Sequence, residues 1–420
     1  MPRYALRRSR RSALAALALA LAASSAAIAS PPSFVVFGDS GYIPSYGRPD
    51  PEEPFPRTLG EYLALETTDW LERNEDLTGF KPTPWTFEAA LDAWMPASGL
   101  HPVARSMDET CRREGCRFAV MVGDNIYPDG ATLGQDGITD ARRFEDMLDR
   151  PFARLGAGTE GFTIYSMLGN HDWRHSREAA LAQQAWLDAH PNFTMPGLFY
   201  RAVPEGMDGE VEIFVIDTEM LLASTDVAKD ELDAEGNELD TGELDIWDAH
   251  IRPQTADERR MVAWLGEALA SSTAKWKLVF GHHALWSGGG SKYEKARALR
   301  RLLMPALCRH ADAYFAGDDH MLEVYSDDCR RHGGDARPPL PMLVSGAAGK
   351  HRPLHPRFMA QQLRNNPEVR HYASYGKAWG FMRATLEGDA MALEVYSTPD
   401  DLSGRPVLES RHRFARRGGD

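Results

Sequence analysis

The chain has 420 residues, 43% of them apolar and 26% charged, with a formal net charge of −14. That balance excludes a disordered tail, a collagen and a coiled-coil rod, and a core of this size needs no disulfide framework. So acidic a surface repels nucleic acid and anionic lipid, and neither is expected as a partner.

Residues 1–29 read as an export signal peptide. Arg3, Arg7, Arg8, Arg10 and Arg11 form a basic head, Ala13–Ala23 a small-apolar run, and Ala27-Ile28-Ala29 a small-x-small cleavage site. Ser9–Leu14 also resembles a twin-arginine signal. The apolar run is too short and alanine-rich for a spanning helix, so the expected location is periplasmic or secreted, with no membrane association. Loss of this segment removes five arginines and no acid, moving the formal charge from −14 to −19.

From residue 30 onward, short apolar runs recur at Phe34–Phe37, Phe118–Val122, Ile164–Leu168, Ile213–Ile216, Leu278–Phe280, Ala313–Ala316 and Met342–Val344. Separated by helix-like stretches, they predict buried strands of an α/β fold. Residues 42–94, rich in proline and aromatics, read as an insertion with helical pieces at 59–71 and 87–94. Its Trp70, Trp85 and Trp94 are candidates to stack on a flat substrate group. Residues 226–248 form a second, strongly acidic insertion, read as a solvated loop because calcium-loop ligand spacing is absent. Helices are predicted over 256–271, opened by a Thr255/Glu258 capping box, and over 292–309. In an oxidising compartment the four cysteines can form two disulfides. The pairing 111–116 with 308–329 is favoured, although sequence alone leaves three connectivities open.

The chemistry lies where the strands end. Five runs break into glycine followed by a metal-ligand residue type: Gly38-Asp39, Gly123-Asp124-Asn125-Ile126-Tyr127, Gly169-Asn170-His171-Asp172, Gly281-His282-His283 and Gly317-Asp318-Asp319-His320. A single Gly-Asp after a strand is ordinarily a turn. Five such ends point instead to a shared metal site, because ligands of open α/β sheets gather at the carboxyl ends of strands. Carboxylates, an amide oxygen and imidazoles suit iron, manganese or zinc, and two cations close together need a bridging carboxylate.

In this order the motifs resemble the calcineurin-like metallophosphoesterase superfamily. The tyrosine three residues after Asp124 narrows the resemblance to purple acid phosphatases of the small tartrate-resistant type. It runs from about Phe34 to Ser397. The resemblance implies a four-layer α/β/β/α sandwich of the metallophosphoesterase type, with 30–420 a single catalytic domain carrying the two insertions. It also implies a dinuclear metal centre, Fe(III) with a divalent Fe, Mn or Zn. Asp39, Asp124, Tyr127 and His320 would bind iron, with Tyr127 as a coloured phenolate. The bridging Asp124, Asn170, His282 and Asp318 would bind the divalent ion. His171 would serve the leaving group, oriented by Asp172, while a metal-bound hydroxide attacks phosphorus in line on a small phosphate ester.

Two positions depart from the family pattern. Asp318 stands where a histidine is usual, adding a negative charge that favours harder ions such as manganese or iron(II) over zinc. Ser291 stands where the small members carry a further histidine, with His283 or His175 as replacements near the leaving group. The leading reading is an exported phosphomonoesterase. A phosphodiesterase or nucleotide hydrolase, and a metal-containing binding protein that has lost catalysis, are the alternatives.

Overall fold

The computed structural model describes residues 31–49, 54–290, 292–333 and 337–418. The signal-peptide reading and Ser291 lie outside the described residues. Two seven-stranded mixed sheets face each other. The first runs, in spatial order, Val407–Ala415, Ala390–Thr398, Trp379–Glu387, Ser33–Phe37, Phe118–Met121, Ile164–Ser166 and Phe193–Thr194. The second runs Val369–Tyr375, Leu322–Asp327, Leu340–Ser345, Ala313–Ala316, Trp276–Phe280, Val211–Val215 and Tyr200–Ala202.

The central strands of both sheets are parallel and covered on both faces, which is why they read as continuous apolar runs. Ser33–Phe37 is buried at all five positions. Phe34 stacks on Phe118 of its own sheet at 4.7 Å and meets Phe280 and Phe315 of the facing sheet edge-on, at 6.3 and 5.7 Å. One aromatic core thus joins the sheets. Outside, Leu100–Glu114 packs on the strands Trp379–Glu387 and Ala390–Thr398, and Tyr293–His310 packs on Met261–Ser271. This is the expected α/β/β/α layering.

Several local expectations need correction. The helix of 256–271 keeps its Thr255/Glu258 capping box but breaks at Arg260, whose N–H turns back to Asp257 O at 3.0 Å, giving Ala256–Arg259 and Met261–Ser271. Within the first insertion, Leu59–Arg73 is helical, but 87–94 belongs to a hairpin, Trp85–Glu88 with Ala93–Pro96. Its residues alternate in exposure with period two, the mark of a strand. The acidic insertion is also a hairpin, Ala228–Leu232 with Glu238–Leu244, turning at Gly236 and fastened by Arg297 to Asp230 and Glu238.

The last three strands of the first sheet escape an apolar-run search because charges interrupt them. Arg383 pairs with Glu394 at 2.9 Å, and Arg411 pairs with the same Glu394 at 3.0 Å. The register sets Arg383 opposite Glu394 and Glu394 opposite Arg411, so each charge meets a partner across the strand.

Both favoured disulfides are formed, Cys111–Cys116 and Cys308–Cys329, with sequence separations of 5 and 21. The longer loop removes more freedom from the unfolded chain. Replacing Cys308 and Cys329 by alanine is expected to cost about 3 kcal/mol, against about 2 for Cys111 and Cys116. Urea unfolding midpoints of the two double variants check that order.

Candidate metal centre

The parallel strands all deliver their carboxyl ends to one edge, where the five motifs meet. Asp39, Asp124 and Asp318 each take a left-handed backbone, with φ of 56°, 51° and 62°. That conformation is unfavourable for a residue with a Cβ and persists when surrounding contacts impose it. Here Asp39 N–H donates to Gly123 O at 2.9 Å, and Asp318 N–H donates to Asp39 Oδ2 at 3.0 Å. The glycines leave room for the carboxylates. A Cβ at Gly317 would lie 2.6 Å from Asp39 Oδ2, and one at Gly169 would overlap Asp124 Oδ1.

Two groups of donor atoms result. In the first, Tyr127 Oη lies 3.0 Å from Asp39 Oδ1, 2.8 Å from Asp124 Oδ2 and 3.1 Å from His320 Nε2. Donors bound about 2.1 Å from a shared octahedral cation stand about 3 Å apart, so these spacings match a cation cage. In the second, His282 Nε2 lies 3.4 Å from Asp124 Oδ1, 3.2 Å from Asn170 Oδ1 and 3.9 Å from Asp318 Oδ1. Asp124 thus offers one oxygen to each group, the disposition of a bridge. Val122 O, 2.8 Å from His282 Nδ1, holds the other ring nitrogen toward the site. Asp318 Oδ2 is buried with no hydrogen-bond partner among the described residues. The residues present fit two cations.

The charges say the same. Asp39, Asp124 and Asp318 are almost completely buried. Burial pushes the Asp39 carboxyl well above its usual range, with Asp124 and Asp318 adding to the rise. Burial works against a charged His282, yet Asp124, Asp39 and Asp318 together hold it up to about 9. Without metal the imidazolium supplies part of the missing positive charge.

Two residues expected to act near the leaving group are placed elsewhere. Asp172 does not orient the His171 imidazole. It is fully buried and accepts N–H bonds from Gly169, Asn125, Ile126 and the Gln183 side chain, tying two ligand loops together. His171 Nδ1 is held instead by Pro128 O at 2.6 Å, and its main-chain N–H donates to Asp124 Oδ1 at 2.8 Å. His283 turns into the core beside Thr218 Oγ1, at 2.8 Å, and Glu219 Oε2, at 3.3 Å, out of reach of a leaving group. His175 lies half-buried just past the short helix Asn170–Trp173. Two cations at the site had no motif to announce them. Lys292 Nζ is 2.9 Å from Asp318 Oδ1, and Lys350 Nζ sits 4.7 Å above the Tyr127 ring.

A two-sheet sandwich with histidines, carboxylates and an asparagine at its strand ends defines a metallophosphoesterase. Residues 34–322 match the calcineurin-like phosphoesterase model, and the chain belongs to that family. It is 27% identical over 256 residues to purple acid phosphatase 17 of Arabidopsis thaliana, covering 59% of this chain and 63% of that relative. It is 28% identical over 228 residues to purple acid phosphatase 3 of the same plant, covering 53% and 54%. Each match thus spans less than two thirds of the relative's length. Among solved structures, similar folds include GAP50, the anchor in the inner membrane complex of Plasmodium (TM-score 0.53, 14% identity, 93% and 90% covered). Another is a purple acid phosphatase from yellow lupin seeds (TM-score 0.50, 13% identity, 92% and 54% covered).

Two outcomes follow from the packing. Gly169→Ala, whose Cβ would overlap both the carboxylate and the main-chain nitrogen of Asp124, is expected to weaken divalent-metal retention by about tenfold or more in metal analysis, with circular dichroism separating that loss from unfolding. Metal must also displace the His282 proton, so below about pH 9 uptake should release protons and strengthen as pH rises. Calorimetry in two buffers of different ionisation enthalpy measures that release.

Proposed function

We propose that the protein is a metal-dependent phosphoesterase that hydrolyses phosphomonoesters at the edge formed by Asp39, Asp124, Tyr127, Asn170, His282, Asp318 and His320. The observation that carries this reading is the shared Asp124, one oxygen in each donor group. Two cations held there, iron(III) beside Tyr127 and a divalent iron, manganese or zinc ion, would supply an activated water and a positive clamp on the phosphoryl oxygens.

The chain's own residues account for the rest. His171 borders the site with Nε2 3.9 Å from Asp124 Oδ2. Burial pushes its imidazole down to about 3, so it is neutral, and with Nδ1–H donated to Pro128 O the free lone pair is on Nε2. A monoester monoanion carries one P–O–H proton. Nε2 accepts that proton and returns it to the leaving-group oxygen as the P–O bond breaks. A diester has no such proton, and this favours the monoester over the diester reading.

Beyond His171 opens a cavity of 460 Å³ whose lining includes Tyr42, Tyr46, Phe55, Arg174 and Lys350. The first insertion therefore faces the substrate, but not through its tryptophans. Trp70 packs on Phe80, Trp85 near Tyr62, and Trp94 on Phe87. Lys350 and Arg174 add positive charge to a lining that also holds aromatic rings, so the cavity suits a flat leaving group that carries negative charge.

With p-nitrophenyl phosphate and its bis ester, turnover is expected on the monoester at about a hundredfold the rate on the diester, a general-acid-sized difference. kcat/KM should fall as pH rises through about 6, where the monoester loses its proton. A protein that binds two metals and hydrolyses neither ester would overturn the reading.

A further inference from the structure

The exchange of histidine for aspartate at 318 has a counterpart in the fold. Lys292 caps the helix Tyr293–His310 and sends its ammonium to within 2.9 Å of Asp318 Oδ1, an ion pair with the lysine side chain 20% exposed and the aspartate 1%. The lysine lies outside the strand-end motifs, 26 residues earlier in the chain.

The approach is built rather than incidental. The loop that delivers Lys292 is fastened to the strand end carrying Asp318. Gly288 N–H donates to both carboxylate oxygens of the buried Glu323, at 3.0 and 3.1 Å. Ser287 Oγ donates to Asp319, and Gly289 N–H donates to Ser287 Oγ at 3.1 Å. Asp319 and Glu323 are both fully buried. Residues 287–289, shortly before Lys292 in the chain, are thus held to the segment that follows Asp318.

The charges also balance. A carboxylate in place of a neutral imidazole adds one negative charge to the second donor group, and an ammonium beside it takes that charge away. Where a neutral imidazole has a single N–H, the ammonium brings three donors. Beyond its contact with Asp318, the Lys292 ammonium meets no further hydrogen-bond acceptor among the described residues, which leaves two of its three N–H groups. Those donors are open to an oxyanion.

We propose that Lys292 and Asp318 form one unit at the second metal position, the ammonium offsetting the carboxylate's charge and binding a phosphoryl oxygen of the substrate or of released orthophosphate. This rests on the phosphoesterase reading for its ligand but not for its charge balance. It also changes what Asp318 means for metal choice. With the lysine in place, the site keeps the net charge of a histidine site, and the preference for harder ions is muted.

The test compares the whole protein with Lys292→Met, Lys292→Arg, Asp318→His and the double variant Lys292→Met/Asp318→His. Manganese and orthophosphate binding are followed by calorimetry. Asp318→His leaves the ammonium facing a cation unshielded and should weaken the second manganese by about tenfold, while the double variant should recover it to within about twofold. Lys292→Met should tighten that manganese and weaken orthophosphate by about tenfold, and Lys292→Arg should keep most of the orthophosphate affinity. Failure of Lys292→Met to restore manganese binding in the Asp318→His background, or unchanged orthophosphate binding in Lys292→Met, would overturn the proposal. If a variant fails to fold by circular dichroism, Lys292→Gln takes its place. Coupling in manganese binding without turnover of any ester would keep the charge pair and remove the phosphoesterase reading. Turnover without coupling would do the reverse.

Discussion

Three carboxylates buried together at one sheet edge are the constraint from which the rest of this structure follows. Asp39, Asp124 and Asp318 lie out of water and within reach of common donors. In a low dielectric their mutual repulsion is large, and no arrangement of neutral groups removes it. The chain answers in three ways. Asp39 is driven toward its neutral form, His282 is held cationic up to about 9, and Lys292 pairs with Asp318. Each response is partial, and two bound cations would complete it. The surface cannot help, since the whole chain carries a net charge of −14.

Keeping such a cluster assembled requires a backbone that does not yield. Parallel strands from two sheets aim their carboxyl ends at the same edge, and the apolar core around Phe34 fixes the sheets face to face. Asp172 then spends its carboxylate on four N–H groups from the loops of Asp124 and Asn170 and from Gln183. Burial raises that carboxyl to about 7, with Asp124 adding to the rise, while these hydrogen bonds oppose it. Its place in the motif beside His171 suggests chemistry. Its contacts show a strap.

The cavity beyond His171 is lined by less regular segments. The first insertion contributes Tyr42, Tyr46 and Phe55, and the loop after the strand Leu340–Ser345 contributes Lys350. None of these sits in a strand-end motif, and loops over a rigid sheet edge are where selectivity can vary without disturbing the metal ligands. The acidic hairpin of 226–248 is anchored through Arg297 to the helix that begins beside Lys292, so it too is tied to this edge.

The layered α/β architecture, the central strands, one capping box and the seven candidate ligands were legible in the order of residues. The strands and the ligand edge depend on local rules: apolar runs make doubly covered strands, and Gly-Asp, Gly-Asn or Gly-His at their ends marks the edge where ligands gather; the layered sandwich and the choice of the seven candidates rested on the family resemblance. The charged antiparallel strands were not legible, because Arg383, Glu394 and Arg411 break the apolar pattern and are satisfied only by partners across the register. Nor were the neighbours of the ligands. Pro128 rather than Asp172 holds His171, His283 points into the core, and Lys292 meets Asp318. Local pattern determined which residues could bind metal. Which charge lies beside each of them was decided by chain segments far apart in sequence, because electrostatic contacts depend on distance in space and carry no period along the chain.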